Sequence, residues 1–336
     1  MRRRAHGLRR SRRAVTTLGL AGPLLGACGL GLVDNPGGGD DNLPTQAAGP
    51  YAKPEVSLDT PADEPYVLAE AGAQLREPDV LLRDDGGFRI WYAREAEAAF
   101  EIWYAELADT SALPDGAPAP ALVADAPWEQ GRIAAPSVID LGDGHLVLFY
   151  EGGDGAPGIG RADSTDDGAT WSKHPANPLL TAVRSPGAAV VDDTWMIFAS
   201  RDGEAGIWRA TSSDGATFVL DATPVVRPRA GLATAFDGES VANPDVVVTR
   251  TGADRSHIGL FFTGGARVGS DLIQSIGYAG SFDGISFDRF GGPDAVLAQG
   301  VPSEVTPSVV VPATRGVMFY GEVKQGASRI GVALHP

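Results

Sequence analysis

Hydrophobic positions along this chain return in short blocks and keep no helical period. Five times a proline, followed by a small or acidic residue, opens an aliphatic run. These are Glu77-Pro78-Asp79-Val80, Ala135-Pro136-Ser137-Val138, Ser185-Pro186-Gly187-Ala188, Asn243-Pro244-Asp245-Val246 and Thr306-Pro307-Ser308-Val309. The prolines stand 58, 50, 58 and 63 residues apart. A second run ending in aromatics follows each block: Phe88–Tyr92, Leu146–Tyr150, Trp195–Phe198, Ile258–Phe262 and Val317–Tyr320. A third run follows in turn, at Phe100–Ala105, Gly158–Ala162, Gly206–Ala210, Ser275–Ala279 and Arg329–Ala333. β-Branched and aromatic runs bounded by Gly, Asp and Pro predict strands. A repeat of this length predicts a propeller with one four-stranded blade per unit.

Three of the third runs pass into a hairpin signature of the Asp-box form. Ser164-Thr165-Asp166-Asp167-Gly168-Ala169-Thr170-Trp171 is the fullest, and Ser212–Phe218 and Ser281–Phe287 are shorter relatives. Asp supplies a local turn hydrogen bond and Gly a positive φ, so these acids are expected to shape turns. The fifth repeat stops after its third strand, and Pro65–Ala69, just ahead of the first repeat, is the expected donor of its missing outer strand. The predicted fold is therefore all-β, a five-bladed propeller over residues 65–336 closed by an N-terminal strand.

Composition changes the picture mainly at the N-terminus. The chain has 336 residues, 43% of them apolar, with 44 Gly, 25 Pro and one Cys. One cysteine excludes an internal disulfide framework. The net charge of −16 speaks against nucleic-acid backbones as partners. Seven of the arginines lie in residues 1–27, which hold no acid, leaving −23 for residues 28–336. Behind them Ala14–Leu25 is apolar but shorter than the ~20 residues a bilayer span needs. The sequence Leu25-Gly26-Ala27-Cys28 resembles a bacterial lipobox, and Ser11-Arg12-Arg13-Ala14-Val15 looks like a twin-arginine export signal; general secretory export is the open alternative. Residues 1–27 are thus expected to be a signal peptide, Cys28 the lipidated residue, and 28–64, rich in Gly, Pro and Asp, a flexible tether. The expected location is the bacterial cell envelope outside the cytoplasm, held by the lipid alone. Gly29 after the Cys resembles the pattern that implies the outer membrane in Gram-negative cells.

The repeat grammar resembles the five-bladed propellers of glycoside hydrolase families 43 and 32. That resemblance implies a carbohydrate pocket on the axis, at the face where each innermost strand begins. Residues beside the repeat prolines are then the candidates: Arg76, Glu77, Arg132, Arg184 and Asn243 for binding, with Arg201 at a second-strand exit. Glu151, Asp202 and Glu322 occupy other such exits. Glycoside hydrolysis needs two carboxyl groups. Asp79 and Asp245 share one register of the repeat, and are expected as base and orienting acid, with Glu304 or Glu239 as proton donor. The family's acids do not all carry over, because Ser137 and Arg184-Ser185-Pro186 stand where carboxylates are implied. A non-catalytic carbohydrate-binding propeller and a protein-interaction platform therefore remain open beside the glycosidase reading. Scattered histidines offer no metal spacing, so no metal or cofactor is expected. The expected partner is a glycan or other small polar ligand, bound by a monomer.

Overall fold

The computed structural model describes residues 50–53 and 66–335, apart from 98, 111–113, 115, 233–234, 251–254, 291–294, 298–302, 312–315 and 325–326. The signal segment, Cys28 and most of the expected tether lie outside the described residues. Five antiparallel sheets follow one another. Blade 1 is Ala73–Leu82, Phe88–Ala96, Ala99–Leu107 and Ala119–Leu122. Blade 2 is Ile133–Asp140, Leu146–Gly152 and Gly158–Ser164, its outer edge divided between Ser172–Lys173 and Leu180–Thr181. Blade 3 is Val183–Val191, Thr194–Arg201, Glu204–Ser212 and Val219–Leu220. Blade 4 is Ser240–Arg250, Ser256–Val268, Asp271–Ser281 and Asp288–Arg289. Blade 5 is Ser303–Val310, Val317–Lys324 and Ala327–Leu334, and Tyr66–Leu68 pairs with the last of these as its outer strand. The N-terminal strand therefore closes the ring as the repeat required.

The core is divided into five wedges, one at each seam between blades. Phe88, Tyr92 and Phe319 fill the seam of blades 5 and 1, and Trp91, Leu148 and Tyr150 that of blades 1 and 2. Phe149 and Ile197 fill the next, Phe198 and Phe262 the one after, and Phe261, Tyr278 and Tyr320 the last. This explains the adjacent aromatics of the second runs. Successive strand residues point to opposite faces, so Tyr92 and Trp91, Tyr150 and Phe149, and Phe262 and Phe261 each serve two seams.

The Asp-box acids hold turns, as their composition predicts. Asp166 accepts the Thr170 N–H at 2.9 Å, and Asp214 and Asp283 accept the Thr217 and Ser286 N–H at 2.7 and 2.8 Å. Each box is also tied to the preceding blade, through Arg89 on the Asp167 carbonyl, Arg161 on that of Gly215 and Arg209 on that of Asp283.

One boundary differs from expectation. Residues 50–53, expected within the tether, lie against the propeller. Tyr51 is buried in the blade 4–5 wedge, and the backbone pairs with Leu297 and Leu334. A single large aromatic carries enough apolar surface to dock a segment whose composition otherwise reads as linker.

At the seam of blades 3 and 4 the backbones approach closely. A β-carbon on Gly187 would lie 2.6 Å from the Pro244 carbonyl oxygen. Gly187→Ala is expected to destabilise the fold by roughly 1–3 kcal/mol, the cost of overpacking. Gly155→Ala, whose added carbon meets nothing within 4 Å, is expected to stay within about 0.5 kcal/mol of the parent. Urea unfolding of both variants checks this, and equal midpoints would show that the seam yields.

Candidate functional site

The repeat prolines form the wall of the axis. In all five blades the residue before the proline is left-handed: Glu77 (φ 55°), Ala135 (45°), Ser185 (51°), Asn243 (48°) and Thr306 (52°). The strand register slips at the same point in every blade. Each slip is a bulge, which re-aims side chains at the end of a strand. The result is a recess of about 310 Å³ including its mouth, lined by the five pre-proline residues, the five prolines, Asp79 and Asp245. The clear space between its walls admits only a few water molecules.

Two sets of hydrogen bonds join the bulges around the ring. In the first, the residue after the proline accepts an N–H of the next blade in four of the five blades. Val138 N–H donates to Asp79 at 2.8 Å, Ala188 N–H to Ser137 at 2.9 Å, Val309 N–H to Asp245 at 2.9 Å and Val80 N–H to Ser308 at 3.1 Å. Gly187 takes the remaining position, where the seam is too close for a side chain. In the second, the pre-proline N–H groups donate to side chains of the preceding blade. Ala135 donates to Glu77 and Ser185 to Glu151, at 2.9 and 3.1 Å. Asn243 donates to Ser200 and Thr306 to Thr263, likewise at 2.9 and 3.1 Å.

Burial dominates the electrostatics. Asp79 is held well above the usual carboxylate range, first by desolvation and then by the field of Asp245, against the opposing Val138 N–H. Asp245 is pushed up to about 7 by desolvation, against the Val309 and Val246 N–H groups. Glu151 also reaches about 7, through desolvation and the negative charge of Glu77, partly offset by Arg184 and Arg132.

A carboxyl whose folded pKa lies above its unfolded value binds more protons when folded. Its contribution is complete below about pH 4, the unfolded carboxylate value, and is lost as pH rises through about 7 for Asp245. Wild-type stability is therefore expected to decline between pH 4.5 and 7.5. Asp245→Asn keeps a carbonyl oxygen for the Val309 N–H, and should flatten that decline and raise the urea midpoint at pH 7.5. An unchanged slope would show that Asp245 does not titrate in this range.

The other candidates spread around the rim. Arg76 pairs with Glu95, Arg184 with Asp202 at 3.1 Å, and Arg201 with Glu204 at 3.1 Å while lying over Trp208. Arg132 lies over the Phe100 ring, 4.8 Å from its centroid. Asn243 lines the recess and donates through Nδ2 to Thr263 at 3.2 Å. Glu239 does not line the recess; its exposed side chain pairs with Arg267 at 3.1 Å, beside the turn between the second and third strands of blade 4. Glu304 lies on the first strand of blade 5 opposite Glu322, and its side chain is outside the described residues. Glu322 is buried and accepts from Arg329 at 2.7 Å. Glu151 appears in the sequence only as a strand-exit acid. Its position two residues after Phe149 matches Ser200 and Thr263 in their blades, and that register was the available signal.

No protein-family model matches the chain, and no curated protein matches it in sequence. Solved structures match in three dimensions. A glycosyl hydrolase from Bacteroides ovatus is 18% identical, with a TM-score of 0.63 over 88% of this chain and 96% of that one. A structure from work on the GH130 family of mannoside phosphorylases, which contains glycoside hydrolases targeting β-1,2-mannosidic linkages in Candida mannan, is 17% identical, with a TM-score of 0.64 over 88% and 96%. An α-L-arabinofuranosidase from Lactobacillus brevis is 14% identical, with a TM-score of 0.58 over 78% and 90%. The chain shares the propeller fold of these glycoside hydrolases. At such identities the likeness is one of fold, and it does not carry the finer expectation of families 43 or 32.

Proposed function

We propose that this protein is an exported, lipid-anchored propeller that acts on carbohydrate by glycoside hydrolysis at the axial recess. The observation that carries the reading is that Glu77, Asp79 and Asp245 converge on one recess, where burial raises the pKa of both aspartates, that of Asp245 to about 7. Inter-blade bonding does not require that burial penalty. Ser137 and Ser308 accept the same N–H groups in their blades without a charge. Two aspartates in a place where serine suffices argue for chemistry.

Burial exchanges the roles expected from the sequence. A carboxyl kept protonated donates, so the Asp79–Asp245 pair supplies the proton that the glycosidic oxygen takes as its bond to the anomeric carbon breaks. Glu77, at the mouth and beside Arg76, takes the proton of the attacking water. This relieves Glu239 and Glu304 of the donor role. The second reading, a glycan-binding propeller without turnover, rests on Ser137 and Ser185 at the starts of blades 2 and 3.

Turnover of aryl glycosides and polysaccharides by the full chain tests the proposal. Glu77→Gln and Asp245→Asn are each expected to lower kcat/KM by about 100-fold or more, the usual worth of acid–base catalysis. Asparagine still accepts the seam N–H, so the loss should come without unfolding. Activity should fall above about pH 7 as Asp245 loses its proton. Full activity in Glu77→Gln would overturn the assignment, and binding without turnover would favour the second reading.

The anchor is tested apart from the chemistry. Radiolabelled palmitate should enter the wild-type protein expressed in a bacterial host and not Cys28→Ser, which should leave the membrane fraction. Label retained in Cys28→Ser would overturn the anchor.

A further inference from the structure

A second, smaller recess adjoins the first between blades 1 and 2. It encloses about 200 Å³ including its opening, and Glu77 is common to both. Arg76, Arg94, Arg132, Phe100 and Glu95, the partner of Arg76, stand on its other sides. On this acidic chain the described arginines around the axial face have found carboxylates: Arg76 has Glu95, Arg94 has Glu70, Arg184 has Asp202 and Arg201 has Glu204. Arg132 is the exception. Its guanidinium has neither an ion pair nor a hydrogen bond to any described residue, and its one contact of this kind is the face of Phe100. Glu151 feels its charge but lies beyond ion-pair reach, and its carboxylate accepts the Ser185 N–H instead.

The unpaired guanidinium is also fixed in place. Phe100 and Arg132 form a parallel backbone bridge, and Arg132 N–H donates to the Glu129 carbonyl at 2.9 Å. Stacking on the ring then leaves the edge of the guanidinium free. That edge is a planar fork that matches a carboxylate through two parallel N–H···O bonds. The small recess is too narrow for a sugar ring, so the ring must lie over the axial recess on the other side of Glu77.

We infer that Arg132 and the recess beside it bind the carboxylate of a uronic-acid residue, making the substrate class of the axial site an acidic glycan. The inference rests on the carbohydrate reading of that site.

The experiment compares the full chain's affinity for three uronic-acid polysaccharides (alginate, polygalacturonate and glucuronoxylan) with that for their carboxyl-reduced counterparts. At least one acidic polymer is expected to bind about ten-fold or more tightly than its reduced form. Raising salt from 50 to 500 mM should shrink that ratio, because a charged contact at a surface recess is screened. Arg132→Gln should bring the ratio to within two-fold of one, and Arg132→Lys, which keeps the charge without the fork, should hold it in between. Equal binding of acidic and reduced polymers by the wild type overturns this inference and leaves the carbohydrate reading standing. A preference that survives Arg132→Gln, or one insensitive to salt, also overturns it. Salt dependence in the wild type decides the matter should Arg132→Gln fail to fold. Absence of binding and turnover with every polymer overturns both.

Discussion

The left-handed residue before each repeat proline is the constraint on which the rest of the molecule depends. A non-glycine residue in that region costs of order 1–2 kcal/mol, and this ring holds five. Proline is suited to the next position because it fixes φ and brings no N–H that the slipped ladder would leave unpaired. The bulge turns the preceding N–H away from its own sheet, where four of the five meet a side-chain acceptor. Strain in one blade is thus held by contacts across the ring. The same kink carries the pre-proline side chain to the axis, so the device that joins the blades also builds the recess.

This coupling makes the position after the proline a place of competing demands. It has to accept an N–H from the next blade, and Ser does so at low cost in blades 2 and 5. Asp in blades 1 and 4 does so while holding a carboxyl out of water. The two aspartates raise each other's cost, since Asp79 lies in the field of Asp245. A protonated carboxyl relieves that cost and still offers its carbonyl oxygen to the neighbouring backbone. The seam therefore tolerates the acids best in the protonation state that a proton donor needs.

The architecture was legible in the sequence because its signals are local. The proline blocks, the paired aromatics and the Asp-Gly turns each report a strand or a hairpin, and their recurrence reports the ring. The shared register of Asp79 and Asp245 was legible for the same reason. What those residues do was not, because their partners Val138 and Val309 are backbone groups of other blades. Glu151 shows the same limit, for its altered acidity comes from burial and from Glu77 in another blade. Glu239 passed for a rim acid until the long blade 4 hairpin brought Arg267 to it. Tyr51 was hidden by its neighbours, since Gly, Pro and Asp set the composition of a segment whose docking depends on one ring.

The docking of Tyr51 also fixes where the chain enters the domain. The first strand of blade 5 starts at the axial face and ends at Val310, the second starts at Val317, and the third ends at Leu334. Val317 and Leu334 pair with each other at the end remote from the recess. Ala52 exchanges both backbone hydrogen bonds with Leu334, and the Tyr51 ring meets His335 edge-on. Lys53, two residues on, lies over Tyr320 and towards Glu322, so the segment climbs from the remote face toward the axial one. Pro50, where the described segment begins, therefore sits at the face opposite the recess. Residues 50–53 thus pack away from the recess, and none of them lines it.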